Sequence, residues 1–224
     1  MREESPAARI HASYYKKIGW SEPVPEKLVD YVLELVPEGA RLLDVGCGSG
    51  VLLREARAKK KCEVCGVDFL PYFVNRLRKE GFEVKLCDIE RENIPFKGRF
   101  DVITMTEVIE HLFDPLSVLK KLRGKLKRGG YLILSTPNTF SLKYRLMFLL
   151  GRNIFACQSP LHIRFFSKNI LKRLLDQAGF VVDKWNSFSW LPLSSELFGK
   201  VIFYRVGALD SLLSLYLVVR AKRL

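Results

Sequence analysis

Long hydrophobic runs are missing from this chain. The nearest approach to the roughly 20 apolar residues of a membrane span is VIFYRVGALDSLLSLYLVVR (201–220), which Arg205 and Asp210 interrupt. The opening MREESPAARI carries acids and has no apolar core of the kind a signal peptide needs. Together these absences lead to the expectation of a cytosolic protein. Cysteines are few and unframed: Cys47, Cys62, Cys65, Cys87 and Cys157 are odd in number and follow no disulfide spacing. CEVC (62–65) has the spacing of a metal or redox pair. No second pair and no nearby histidine accompanies it, and in a strand residues three apart face opposite sides. The reading is reduced, half-buried thiols, and no metal ligands are assigned from the sequence.

Acid is missing from one long stretch. No Asp or Glu occurs between Asp114 and Asp176, while thirteen Lys and Arg do. Residues 1–120 hold 19 basic against 20 acidic side chains and residues 121–224 hold 18 against 4, so the net charge of +13 comes from the second half. Such a half is either a solvated basic surface, as KKLRGKLKR (120–128) alone would be, or it faces something anionic.

What is present is the pattern of one globular domain of 224 residues, 48% hydrophobic. RLLDV (41–45), CEVCGVD (62–68), EVKLCD (83–88), FDVITMT (100–106) and GYLILST (130–136) are short apolar runs that suit strands buried on both faces of a parallel sheet. Helical patterns separate them. LLREARAKK (52–60) follows a glycine loop, and PYFVNRLRKEG (71–81) spaces Phe73, Leu77 and Glu80 helically. DPLSVLKKLRGKLKRGG (114–130) predicts a helix with Asp114 as N-cap, Pro115 in the first turn, Leu116, Leu119, Leu122 and Leu126 on one face, and glycines as the stop. Alternating strands and helices predict βαβ units and a doubly wound α/β sheet. No internal repeat or low-complexity linker is found.

The loop GCGSG (46–50) joins the first strand to a helix. Gly46 and Gly48 let the backbone turn tightly and approach a ligand that a Cβ would obstruct, and the helix start offers unpaired N–H groups. Asp68, twenty-two residues after Gly46, ends the second strand, where a carboxylate accepts from both hydroxyls of a ribose. Asp88 ends the third strand. A nucleoside-containing cofactor across the carboxyl ends of the strands is the expectation. The NAD fingerprint G-x-G-x-x-G fails, because position 51 is Val. An acid at Asp44, just before the glycines, repels phosphate and attracts a cationic amino-acid moiety.

At this point the sequence resembles the class I S-adenosylmethionine-dependent methyltransferases. LLDVGCGSG is similar to their first motif, VCGVD to their second, and LCDIERENIPF (86–96) to their acid-loop motif. FDVITMTEVIEHLFDP (100–115) resembles the fourth-strand signature of the ubiquinone-biosynthesis-type branch. The resemblance spans residues 40–137 and continues more loosely through HIRFFSKNILKRLLDQAGF (162–180). It implies a seven-stranded sheet in the order 3-2-1-4-5-7-6 with the seventh strand antiparallel, FVVDKWNSF (180–188) as the sixth strand and LYLVVRAKR (215–223) as the seventh.

It also implies a site, residue by residue. Asp44, Gly46, Cys47 and Gly48 would line the methionine and ribose part of S-adenosylmethionine. Asp68 would hold the ribose hydroxyls and Phe69 would pack on the adenine. Asp88, with the Ile89 backbone nearby, would bind the adenine amino group. Thr106 and Glu107 would lie near the sulfonium, and Leu70 stands where many relatives have Ser. His111 is the candidate general base, or else it ties down the loop before the Asp114 cap. His162 is second, with packing the favoured role, and Ser167 is read as the cap of the next helix. His11, Tyr14 and Tyr15 belong to an N-terminal helical lid (1–39), ahead of a cofactor half (40–137) and a substrate half (138–224).

The substrate half contains a long loop, TFSLKYRLMFLLGRNIFACQSPLH (139–162), which mixes Leu, Met and Phe with Lys143, Arg145 and Arg152 and has no acid. Long loops in compact domains are usually functional. The pattern suits an apolar acceptor with an anionic group, or docking on an anionic membrane surface. A core helix with a basic outer face fits it as well. Three functional classes stay open: a small-molecule methyltransferase acting mainly on oxygen, a nucleic-acid methyltransferase, and a non-catalytic cofactor-binding protein. Against the second, the fourth strand ends in TMTEV and lacks the Asn/Asp-Pro-Pro-aromatic motif of enzymes that methylate base or amide nitrogens.

Overall fold

A computed structural model describes residues 6–20, 26–152, 159–192, 201–205 and 209–224. Cys157 and part of the long loop, residues 153–158, lie outside the described residues.

The central strands form where the apolar runs predict them: β1 (Arg41–Val45), β2 (Glu63–Asp68), β3 (Glu83–Leu86), β4 (Phe100–Thr106) and β5 (Leu126–Pro137). All pair in parallel, with Leu43 opposite Cys65 on β2 and Ile103 on β4. Successive residues of a strand feed opposite faces of the sheet. Leu42 and Val102 join one core, with Leu28, Leu53 and Val74. Leu43 and Ile103 join the other, with Leu119 and Leu175. Helices α2 (Glu26–Leu33), α3 (Val51–Lys60) and α4 (Pro71–Lys79) cover the first face; α5 (Pro115–Lys125) and α7 (Lys168–Gln177) cover the second. Burial on both sides explains why these strands read as nearly continuous hydrophobic runs.

Past β5 the sheet turns antiparallel. The last strand, β9 (Tyr216–Arg223), pairs with β5, and β6 (Phe180–Trp185) pairs with β9. The expected order 3-2-1-4-5-7-6 is therefore present, with β9 as the antiparallel seventh strand. One addition was not foreseen: the hairpin β7 (Phe188–Pro192) and β8 (Val201–Arg205) joins β9 through Phe188 opposite Tyr216. The expected sixth strand, 180–188, breaks because Asn186 turns inward. Its Nδ2 donates to the Tyr31 carbonyl at 2.8 Å and to Glu34 Oε2 at 3.0 Å, fastening the sheet to α2.

Helix α5 starts as expected. Asp114 caps it by accepting from the Ser117 N–H at 3.0 Å, and Pro115 occupies the first turn. Its end differs from the sequence reading. The helix stops at Lys125 and Leu126 opens β5 opposite Phe100, although the leucine spacing continues the helical period. Gly130 permits the change, since a Cβ there would lie 2.9 Å from the Asp101 carbonyl oxygen.

Cys47, Cys62, Cys65 and Cys87 are buried. The two sulfurs of CEVC have separate partners, Cys62 the Pro37 carbonyl and Cys65 the Glu83 carboxylate. Among the described residues no helix is long and apolar enough to cross a membrane. The site lies where the strand order reverses, between β1 and β4 at the carboxyl ends, the position at which doubly wound sheets open a crevice.

Candidate active site

The loop after β1 is held by backbone. The Gly46 and Cys47 N–H groups both donate to the Val67 carbonyl, at 2.9 and 3.1 Å. Gly46 has φ +71°, and a Cβ on it would meet Val108 Cγ2 at 2.5 Å, so only glycine fits. Asp68 completes the loop. Its Oδ2 accepts from the Gly48 N–H at 2.9 Å and its Oδ1 from the Leu70 N–H at 2.8 Å. Burial nevertheless pushes its carboxyl up to about 6, against the pull of those N–H groups. The Cys87 N–H bonds the Asp68 carbonyl at 2.9 Å, which brings Asp88 and Ile89 to the same end of the sheet.

A cavity of about 900 Å³ opens there. Its wall includes Gly46, Asp68, Phe69, Asp88, Ile89, Thr106, Glu107 and His111, eight residues that the sequence assigns to the site. It also includes His11, Tyr14 and Tyr15 from α1 (Pro6–Lys17), and His162. Asp44, Cys47 and Gly48 are not part of the wall. Asp44 accepts the Thr104 hydroxyl at 2.8 Å; Cys47 packs in the core beside Gly66; Gly48 is spent on Asp68.

Glu107 follows β4 with φ +53°, a left-handed conformation uncommon for a non-glycine residue and costly enough to mark functional sites. Its N–H donates to Ser135, whose hydroxyl donates back to Glu107 Oε1 at 2.7 Å. Burial pushes this carboxyl up to about 7.

Three residues on, in a 3₁₀ turn (Ile109–His111), Glu110 is 1% exposed. Its Oε2 accepts the Thr136 hydroxyl at 3.0 Å, and its Oε1 accepts no hydrogen bond among the described residues. Burial, and then the charge of Glu107, raise it well above the usual carboxylate range.

His111 Nδ1 lies 2.9 Å from the Leu161 carbonyl oxygen. A carbonyl only accepts, so Nδ1 carries the proton and Nε2 the lone pair. Burial lowers His111, and burial with the charge of His111 lowers His11 and His162 to about 4. All three rings are therefore neutral bases near pH 7.

The chain has three histidines, and they meet here: His111 lies 5.2 Å from the His11 ring and 4.9 Å from the His162 ring, centre to centre. Glu110, His111 and His162 each present a donor atom within 4.8 Å of the others, close enough to share a metal ion. Glu110 and this convergence were missed in the sequence. The only signal was three ionisable residues, Glu107, Glu110 and His111, inside the apolar run TEVIEHLF. Ser167 caps α7 as expected, accepting from the Ile170 N–H at 3.3 Å.

Comparison with known proteins agrees with this geometry. The methyltransferase domain family matches residues 20–184. A ubiquinone biosynthesis O-methyltransferase from Aeromonas salmonicida is 31% identical over 168 residues, covering 70% of each chain. One from Xanthomonas axonopodis pv. citri is 30% identical over 191 residues, covering 77% of this chain and 79% of its own. Among solved structures, a SAM-dependent methyltransferase from Thermotoga maritima shares the fold with a TM-score of 0.64 at 24% identity, over 96% of this chain and 95% of its own. Sequence, fold and the cleft at the strand ends thus lead to one conclusion: this chain belongs to the methyltransferase domain family and is an S-adenosylmethionine-dependent methyltransferase.

Proposed function

We propose that the enzyme methylates an oxygen of a small apolar acceptor that carries an anionic group. The observation that carries this reading is a single cavity whose wall contains both the Asp68–Asp88 end and the His111–His162 end, with apolar Phe113, Leu161 and Ile163 and the cation Lys143 alongside. Its volume stands near the top of the roughly 300–1,000 Å³ usual for small-molecule sites, which supports room for a cofactor and a second reactant.

The cofactor-side roles are those that the resemblance to the methyltransferases implies. Asp68 has lone pairs left after accepting two N–H groups, and these receive the ribose hydroxyls. Phe69 packs on the adenine, and Asp88 with the Ile89 backbone binds its amino group. Thr106 Oγ1 is buried without a hydrogen-bond partner among the described residues and faces the same cavity, so it has capacity to spare. When bound, S-adenosylmethionine supplies a methyl group already activated by its positive sulfur. The protein must align the acceptor, worth about 7–11 kcal/mol of barrier, and remove its proton. His111 Nε2 is the base, for a gain of roughly 10²–10⁴.

The two relatives are named ubiquinone biosynthesis O-methyltransferases, which supports oxygen as the methylated atom and favours a phenolic acceptor here. Incubating the enzyme with labelled S-adenosylmethionine and a panel of alkylated hydroxybenzoates, neutral phenols, amines and RNA tests the proposal. Label in a phenolic ether supports it; label only in amines or RNA overturns it.

A second reading is favoured by Glu110 Oε1. A buried carboxylate oxygen without a hydrogen bond, beside two imidazoles, suits a divalent cation, which would lower the acceptor's hydroxyl pKa in place of a base. Loss of turnover on chelation, restored by Mg²⁺ or Mn²⁺, would select this reading over His111 as base.

Contact with an anionic membrane surface belongs to the same proposal. Helix α6 (Leu142–Leu149) has no buried residue, and Leu146, Phe148, Leu149 and Leu150 are 49, 72, 78 and 72% exposed. Lone exposed apolar residues are ordinary, but four along one short helix and its end, with Lys143, Arg145 and Arg152 among them, support an interfacial helix beside the cavity. Lys143 lines the cavity and Arg145 does not, so the acceptor's anionic group is assigned to Lys143.

A further inference from the structure

The lid brings His11 to the catalytic end of the cavity. Its ring meets Phe69 edge-on at 5.1 Å and His111 edge-on at 5.2 Å, at interplanar angles of 75° and 77°. His162 meets His111 on its own account, at 4.9 Å and 67°. The lid is fastened elsewhere by aromatic packing. Trp20 stacks on Tyr72 at 4.0 Å, and Tyr15 meets Phe73 edge-on at 5.5 Å, so the C-terminal end of α1 is clasped to the start of α4. His11 lies about one turn back along α1 from Tyr15, where the cofactor wall and the base come together.

Among the described residues one hydrogen bond holds the His111 ring, Nδ1 to the Leu161 carbonyl. A ring held by one such bond still pivots about it, and the bond is made to a loop rather than to the sheet. Two histidine rings also pack edge-on against it. One comes from the loop after α6 and the other from the lid.

We infer that His11 is a positioning residue for methyl transfer: from the closed lid it braces the His111 ring, with Nδ1 toward Leu161 and Nε2 toward the acceptor. Because His11 also rests on Phe69, next to Asp68, the contact that closes the lid over the cofactor is the contact that sets the base. Acceptor activation is thereby tied to cofactor occupancy, and an open lid leaves His111 unbraced. This inference rests on the reading of His111 as the base. It adds a residue from the N-terminal helix, which the family match beginning at residue 20 does not include.

The three histidines make a direct test available, because each gives one set of ring signals that single variants assign. Ring ¹⁵N and Cε1–H spectra are recorded at one fixed pH with S-adenosylhomocysteine bound, for wild type, His11→Ala and His11→Phe. Phenylalanine keeps an edge-on ring and removes the nitrogens. The expected result is His111 as a single Nδ1–H tautomer in wild type and in His11→Phe, and as a mixture of tautomers in His11→Ala. Turnover of the phenolic acceptor with labelled S-adenosylmethionine should follow the tautomer, since a misplacement on the 1 Å scale costs about 10²-fold. Measured at saturating S-adenosylmethionine, it should fall in His11→Ala and be largely rescued in His11→Phe.

If His111 keeps one tautomer in His11→Ala, or if His11→Phe fails as badly as His11→Ala, His11 does not brace the base and the inference is wrong. Failure of the underlying reading has a separate signature: His111→Ala would retain full turnover, whatever the tautomer spectra of the His11 variants show.

Discussion

The Gly48 N–H donates to Asp68 Oδ2 at 2.9 Å, joining the glycine loop after β1 to the carboxyl end of β2 across twenty positions of sequence. The acid of the second motif is thus also the keystone of the first. Asp68→Ala should therefore weaken S-adenosylhomocysteine binding by a few kcal/mol, given about 1.5–3 kcal/mol for each charge-assisted hydrogen bond lost. It should also lower the melting temperature, because two buried N–H groups lose their acceptor. An unchanged affinity measured by calorimetry would remove Asp68 from the ribose site.

The same carboxyl sets a pH dependence. Burial raises Asp68 to about 6, so below that pH the free enzyme holds it protonated. Ribose hydroxyls bind the ionised form better, and a ligand that prefers the ionised form lowers the group's pKa. Cofactor affinity should then rise as pH goes from about 5 to 7, by at most about tenfold per unit, and level off above. The contribution of Asp68 to apoprotein stability has the opposite sign. Its folded pKa lies above the unfolded value, so stability present at low pH is lost as pH rises from about 4 to about 6. Asp68→Asn should flatten the affinity profile; an unaltered slope would assign the titration to another group.

Gly50 and Gly81 separate strain from packing. Both have φ +81°, but a Cβ on Gly50 would lie 2.3 Å from Leu77 Cδ2, whereas one on Gly81 meets nothing within 4 Å. Gly81→Ala should cost only the left-handed penalty, about 1–2 kcal/mol. Gly50→Ala should add a further 1–3 kcal/mol, roughly, for overpacking a buried leucine. Equal losses in denaturant unfolding would show that α4 shifts freely.

The fold was legible in the sequence where the chain's own periodicity carries it, and less so where distant contacts decide. RLLDV, CEVCGVD and FDVITMT are buried on both faces, so their apolar runs announce strands without ambiguity. Leu126 continues a helical leucine spacing, yet its pairing with Phe100 draws it into β5. Asn186 looks like any polar residue in a strand until the Tyr31 carbonyl, 155 positions away, is found to hold it.

The candidate site divides the same way. Asp68 and Asp88 stand at strand ends and reach the cavity by topology alone. Asp44, Cys47 and Gly48 belong to the first motif and contact Thr104, the core and Asp68. Glu110 and the meeting of His11, His111 and His162 depend on packing between distant segments, which no local spacing encodes.

The membrane proposal makes its own demand. Replacing Leu146, Phe148 and Leu149 with Ser should abolish binding to phosphatidylglycerol vesicles while cofactor affinity stays the same. Lys143→Ala should instead reduce turnover on anionic acceptors and leave vesicle binding largely intact. Equal vesicle binding by the triple variant and the wild type would make α6 an ordinary surface helix.

The most direct measurement is transfer of labelled methyl from S-adenosylmethionine to an alkylated hydroxybenzoate, comparing wild type with His111→Ala at equal cofactor saturation. The expected result is an ether product in wild type and a loss of about 10²–10⁴-fold in turnover in the variant, with S-adenosylhomocysteine affinity unchanged. Label transferred equally by both proteins, or appearing only on nitrogen or RNA, would contradict oxygen methylation driven by His111.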